Sequence, residues 1–157
     1  MAVAIVFDLV AAGVALVCTV AVGTAVHELS HATVLHVAGI PCRFSVFPSR
    51  EERGPFRAGL SRPLATVTPV TISESVSPWT LRLAAMMPLV LLAPFALVAA
   101  STVPNPYEVG DPVWVAASIG WAACALPSPQ DFSLLWYPEE AIASHAAETA
   151  TASQTRS

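Results

Sequence analysis

The feature that most constrains this chain is the apolar run of residues 2–39, which contains no Lys or Arg and whose acidic and imidazole side chains, Asp8 apart, are crowded into residues 27–36. As a continuous helix such a run reaches roughly 57 Å, against about 30 Å for the hydrocarbon core of a bilayer. Gly13 and Gly23 are isolated and lie in no polar cluster, so no turn interrupts it. The sequence therefore predicts one long helix that protrudes beyond a membrane or bends.

Composition decides between a buried core helix and a membrane helix. Of 157 residues, 55% are hydrophobic and 11% charged, with a mean hydropathy of +0.64. An ordinary soluble domain carries roughly 25% charge. The N-terminus has no basic stretch ahead of the apolar run, so the first segment is expected to remain as a membrane helix rather than be cleaved. Cys18, Cys42 and Cys124 are odd in number and widely spaced, and form no disulfide or zinc-finger framework.

Beyond residue 41 the chain becomes polar and rich in proline. "RFSVF" at 43–47 and "ATVTPVTIS" at 65–73 alternate apolar and polar residues, as short β-strands do, with Pro69 confining the second to an edge or bulge. "PSREERGPF" at 48–56 supplies turn residues between them. A second span is expected from Leu81 to Thr102, kinked at Pro88 and Pro94, and a third, short one from Pro112 to Leu126. Residues 138–157, rich in Ala, Ser and Thr, read as a largely disordered tail. The expected fold is thus mainly α, a polytopic α-helical membrane protein with about three transmembrane helices and a small β-hairpin after the first, in one domain over 1–137.

The net charge is −4 and all seven basic residues are arginines. Arg43, Arg50, Arg53, Arg57 and Arg62 cluster between the first two spans; a nucleic-acid surface would need aromatic interleaving or a recognisable fold around them, and topology charge is the simpler reading, so no nucleic acid is expected as partner. Read by the positive-inside rule they place this loop in the cytoplasm, and the chain as a multi-pass protein of the cell membrane. The end of the first helix and the segment after the third then share one side of the bilayer.

Within the first helix stands "HELSH", residues 27–31. An ionisable side chain in a membrane helix costs on the order of 2.5 to 3.5 kcal/mol on insertion scales, so a partner or function is expected. His27 and His31 are one turn apart on one helix face, close enough to share one Zn2+. Glu28, beside the first ligand, suits the general base of an H-E-x-x-H hydrolase. Two buried histidines bonded to backbone or to Glu28 are the alternative. A catalytic zinc needs a third protein ligand and an open position. His36 points about 180° away from His27, Asp8 lies about 28 Å along the helix, and Glu139, Glu140 and His145 lie near the tail. Asp131 in "CALPSPQDFSLLW" is the best candidate, with a loop or helix-capping role as its alternative.

With these residues in place, the chain resembles a minimal site-2 protease, a family of membrane-embedded zinc metalloproteases. The resemblance covers roughly residues 20–135, through "HELSHA" at 27–32, Gly39 and "PSPQDF" at 127–132. It implies zinc ligands at His27, His31 and Asp131, one Zn2+ per chain, Glu28 as catalytic base, and residues 1–137 as a metalloprotease-like domain. It also implies β-like strands near the site that pair with an unwound, membrane-bound protein substrate. In that family the aspartate follows an N-x-x-P-x-x-x-x-D-G pattern; here Cys124 stands in place of the Asn, Asp131 follows Pro127 by four residues, and Phe132 replaces the Gly. A non-catalytic protease-like membrane protein that binds metal or a transmembrane client is the competing expectation. Substrate and oligomeric state are not legible in the sequence.

Overall fold

The structure, a computed structural model, describes residues 2–46, 65–69 and 76–154 and is mainly helical. The N-terminal run is one helix, α1, Ala2–Val37. It is apolar on every face, which marks a core or membrane helix rather than the amphipathic helix of a soluble surface. Its end follows from Gly39, whose φ of +75° is the left-handed conformation open to glycine at little cost. The Ile40 N–H then reaches Leu35 O at 2.9 Å and the Gly39 N–H reaches His36 O at 2.9 Å, a Schellman closure sealed by the burial of Leu35 and Ile40.

The chain divides into two compact units, residues 1–27 with 88–126 and residues 28–87 with 127–157, and α1 runs on from the first into the second. In the first unit lie most of α1, α3 (Ala93–Ala99), the short α4 (Pro106–Val109) and α5 (Pro112–Ala125). Asp111 caps α5 by accepting the Val113 N–H at 2.8 Å, and Pro112 starts it. Two glycines let α5 lie close to α1. A Cβ on Gly120 would meet Leu16 Cδ1 at 3.2 Å, and one on Gly23 would meet Cys124 Sγ at 2.8 Å.

The second unit holds the end of α1, an antiparallel pair β1 (Cys42–Val46) and β2 (Ala65–Pro69), and helices α2 (Pro78–Met86), α6 (Pro129–Trp136) and α7 (Pro138–Gln154). Phe44 stands opposite Val67 in the pair, and Pro69 ends it opposite Cys42. Leu35, Ile40, Leu81, Ala84 and Ile142 form the core, with Val34, Val67 and Val76 packed against them. Arg82 ties α2 to the α6–α7 corner, donating from Nε to Leu135 O at 3.1 Å and from a terminal nitrogen to Glu139 Oε1 at 3.4 Å.

Four expectations need correction or completion. The segment expected as a third span is helical as α5, but at 14 residues it covers only about 21 Å. Among the described residues two stretches are long and apolar enough to cross a membrane, Ala2–Val37 and Pro78–Ala99. The tail expected to be disordered from 138 is instead helix α7 as far as Gln154, because Pro138 and two acidic residues open it, alanines sustain it and Ile142 anchors it in the core. The expected turn at 48–56 and the second strand beyond Pro69 lie outside the described residues, as do Arg50, Arg53, Arg57 and Arg62. The bend expected at Pro88 is a stretch of 3-10 helix, Met87–Leu92, between α2 and α3.

Candidate metal centre

His27 and Asp131 are buried, at 8% and 6% exposure, and a buried carboxylate is almost always paired. Each histidine is anchored through Nδ1. The His27 ring bonds Cys124 O at 2.7 Å, and the His31 ring bonds Ala84 O at 2.7 Å. A carbonyl only accepts, so Nδ1 is the donor in both rings, and Nε2 is the nitrogen left for other partners. This is how protein metal sites orient histidine ligands, with one nitrogen held by a carbonyl and the other presented to the ion.

Both carbonyls have a reason to accept a side chain. Cys124 is the penultimate residue of α5, so its carbonyl is among the last four that have no N–H within the helix. Ala84 lies four residues before Pro88, which has no N–H to offer it.

Asp131 is set by the start of α6. The Ser128 N–H donates to its Oδ2 at 2.6 Å, and its own N–H donates to Ser128 Oγ at 3.2 Å, a reciprocal capping box. The other oxygen, Oδ1, lies 3.2 Å from His31 Nε2. His27 completes the group from one turn earlier on the same helix. Ligand atoms of His27, His31 and Asp131 all lie within 4.8 Å of one another, the one such trio of His, Cys, Asp or Glu among the described residues. Two imidazoles and a carboxylate, oriented through their other atoms, fit a divalent transition metal, so the group can hold a metal ion.

Glu28 reaches β2. Its Oε2 accepts the Val67 N–H at 2.9 Å. The Val67 amide therefore points away from β1, and the outer edge of β2 faces the Glu28 carboxylate.

The remaining candidates stand apart. Asp8, His36 and Glu140 are exposed, Glu139 pairs with Arg82, and the side chain of His145 lies outside the described residues. Burial pushes the Cys42 thiol up from its ordinary pKa, and Sγ donates to Ile40 O at 3.3 Å, so this cysteine is a packing group. A cavity of about 510 Å³ in the first unit, walled by Pro94, Phe95, Val98, Trp114 and Trp121, contains none of the site residues.

Sequence reasoning did not identify the carbonyls of Cys124 and Ala84 or the role of Ser128. Two of these left a signal: Pro88 marks the carbonyl of residue 84, and S-x-x-D at 128–131 is a capping pattern. Comparison with protein-family models, curated proteins and solved structures finds no match to this chain.

Proposed function

We propose that the chain is a multi-pass membrane zinc metalloendopeptidase of the site-2 protease type, hydrolysing a peptide bond of a membrane-bound protein near the cytoplasmic face. The observation that carries this reading is the convergence of His27, His31 and Asp131, with both imidazoles anchored through Nδ1, beside the glutamate of H-E-x-x-H. Its membrane setting is supported by the two apolar stretches and by Val3, Phe7, Leu9 and Val17 on α1, each more than half exposed, a patch costly in water.

When bound, Zn2+ supplies Lewis acidity for the scissile carbonyl and the attacking water. Glu28 takes the proton of that water on its carboxylate and passes it to the leaving amine as the C–N bond breaks, one water being consumed per bond. The substrate segment unwinds, since helical hydrogen bonds occupy its carbonyls, and adds as a strand along the outer edge of β2, displacing Glu28 Oε2 from the Val67 N–H and so freeing that carboxylate.

The first test is the zinc content of detergent-purified protein prepared without chelator. About one zinc per chain, lost or weakened in His31→Ala and Asp131→Ala, is expected; metal-free wild type would overturn the reading. Glu28→Gln is expected to keep the metal and abolish cleavage of a membrane-anchored reporter. One observation favours a non-catalytic metal- or client-binding protein: Glu28 Oε2 is engaged by a backbone amide. Normal cleavage by Glu28→Gln would remove that residue from the chemistry. No cleavage by the wild type, with zinc bound, would favour the binding protein.

A further inference from the structure

The anchor of His31 lies in an unusual place. Ala84 sits inside the continuous helical stretch Pro78–Ala99, where a carbonyl ordinarily accepts the N–H four residues on. The fourth residue on is Pro88, which lacks that N–H and whose ring pushes the carbonyl aside. The chain tightens into 3-10 form, and the Met87 N–H takes one lone pair of Ala84 O. The other accepts His31 Nδ1–H at 2.7 Å. Pro88 is fully buried and Ala84 is 4% exposed, so bulk water does not satisfy this carbonyl instead.

We propose that Pro88 is a positioning residue of the metal centre: by withholding an amide from Ala84 O it reserves that oxygen for the His31 ring and so aims Nε2 at Asp131. The inference rests on the metal-site reading above, yet its anchor can be measured without metal. Pro94 is the internal control. It is a second proline of the same stretch, and among the described residues no side chain bonds the carbonyl of Val90, four residues before it.

The experiment combines zinc titration of the purified full-length protein with 15N spectra of histidine-labelled protein, the His31 signals being assigned by their loss in His31→Ala. In the wild type, His31 Nδ1 is expected as an N–H nitrogen. Pro88→Ala, which restores a competing amide, is expected to perturb that signal and to weaken zinc binding about 10- to 100-fold, the range seen when the hydrogen-bond partner of a ligand histidine is removed. Pro94→Ala is expected to bind zinc as the wild type does. Unchanged zinc affinity and spectrum in Pro88→Ala, or an equal loss in Pro94→Ala, would overturn the proposal. A wild-type His31 without a proton on Nδ1 would overturn it even if Pro88→Ala failed to fold. If the wild type bound no zinc, the metal reading would fall, and the response of the His31 signal to Pro88→Ala would still decide the role of Pro88.

Discussion

The surroundings of His27 and His31 solve one problem in two ways. Each ring is held at 2.7 Å by a carbonyl that lacks its usual helical donor. At His27 the carbonyl belongs to a distant segment, the end of α5, brought to α1 because Gly23 has no side chain to obstruct Cys124. At His31 the carbonyl is made available by local covalent structure, a proline four residues on. An anchor built from tertiary approach is broken by bulk, whereas one built from a missing amide is broken by restoring the amide.

The largest effects are expected where the comparison should vanish. His27→Ala and His31→Ala each remove a ligand, so both should weaken zinc binding by more than the roughly 100-fold that bounds the loss of a supporting hydrogen bond. Zinc titration checks this. If one variant kept most of its affinity, the two rings would not be equivalent ligands, and Asp131 with the remaining histidine would define the site.

Next is the approach of α5. Gly23→Val would place carbon where Cys124 Sγ lies at 2.8 Å and Cys124 Cβ at 2.9 Å, so α5 or α1 must shift. Zinc affinity should fall about 10- to 100-fold through the lost hold on His27. Stability should fall by about 1 to 3 kcal/mol through overpacking. Gly120→Val is the contrasting variant: one turn before Cys124, it presses on Leu16 and the Val20 side chain and not on Cys124 itself, and should lower stability with a smaller loss of zinc. Thermal unfolding with and without zinc separates the two outcomes; equal zinc losses would show that general packing, not the Cys124 carbonyl, supports His27.

How far this arrangement was legible in the sequence depends on the kind of anchor. The continuity of α1 and its stop at Gly39 follow from apolar patterning and one glycine, and the spacing of His27 and His31 follows from the helix itself. Asp131 was reachable by elimination, while its placement by Ser128 follows a local S-x-x-D pattern. The His27 anchor was not legible, because a backbone carbonyl carries no residue-type signal and its arrival depends on a contact between residues 97 positions apart. The tail misled for a related reason. Its Ala, Ser and Thr content is ambiguous between coil and helix, and burial of Ile142 among Leu35, Leu81 and Ala84 is a tertiary fact.

Ser128→Ala tests a third kind of support, through a helix cap. It removes the bond from Asp131 N–H to Ser128 Oγ but keeps the Ser128 backbone N–H that holds Asp131 Oδ2 at 2.6 Å. Loss of such a cap costs about 0.5 to 2 kcal/mol. Zinc affinity should fall less than in Gly23→Val, because the carboxylate keeps its backbone donor.

The smallest expected effect is the sharpest test of what holds His27. Cys124 presents a thiol as well as a carbonyl, with Sγ 3.6 Å from Val20 O and 3.9 Å from Thr24 Oγ1. Cys124→Ala deletes the thiol and leaves the carbonyl, and a partly buried sulfur with such long contacts should contribute about 1 kcal/mol or less to stability. If the backbone is the anchor, zinc affinity in this variant should match the wild type even though Gly23→Val, acting on the same residue pair, lowers it. A loss in Cys124→Ala as large as in Gly23→Val would place the support in the sulfur. His27 and His31 would then be held by different chemistry as well as by different backbone.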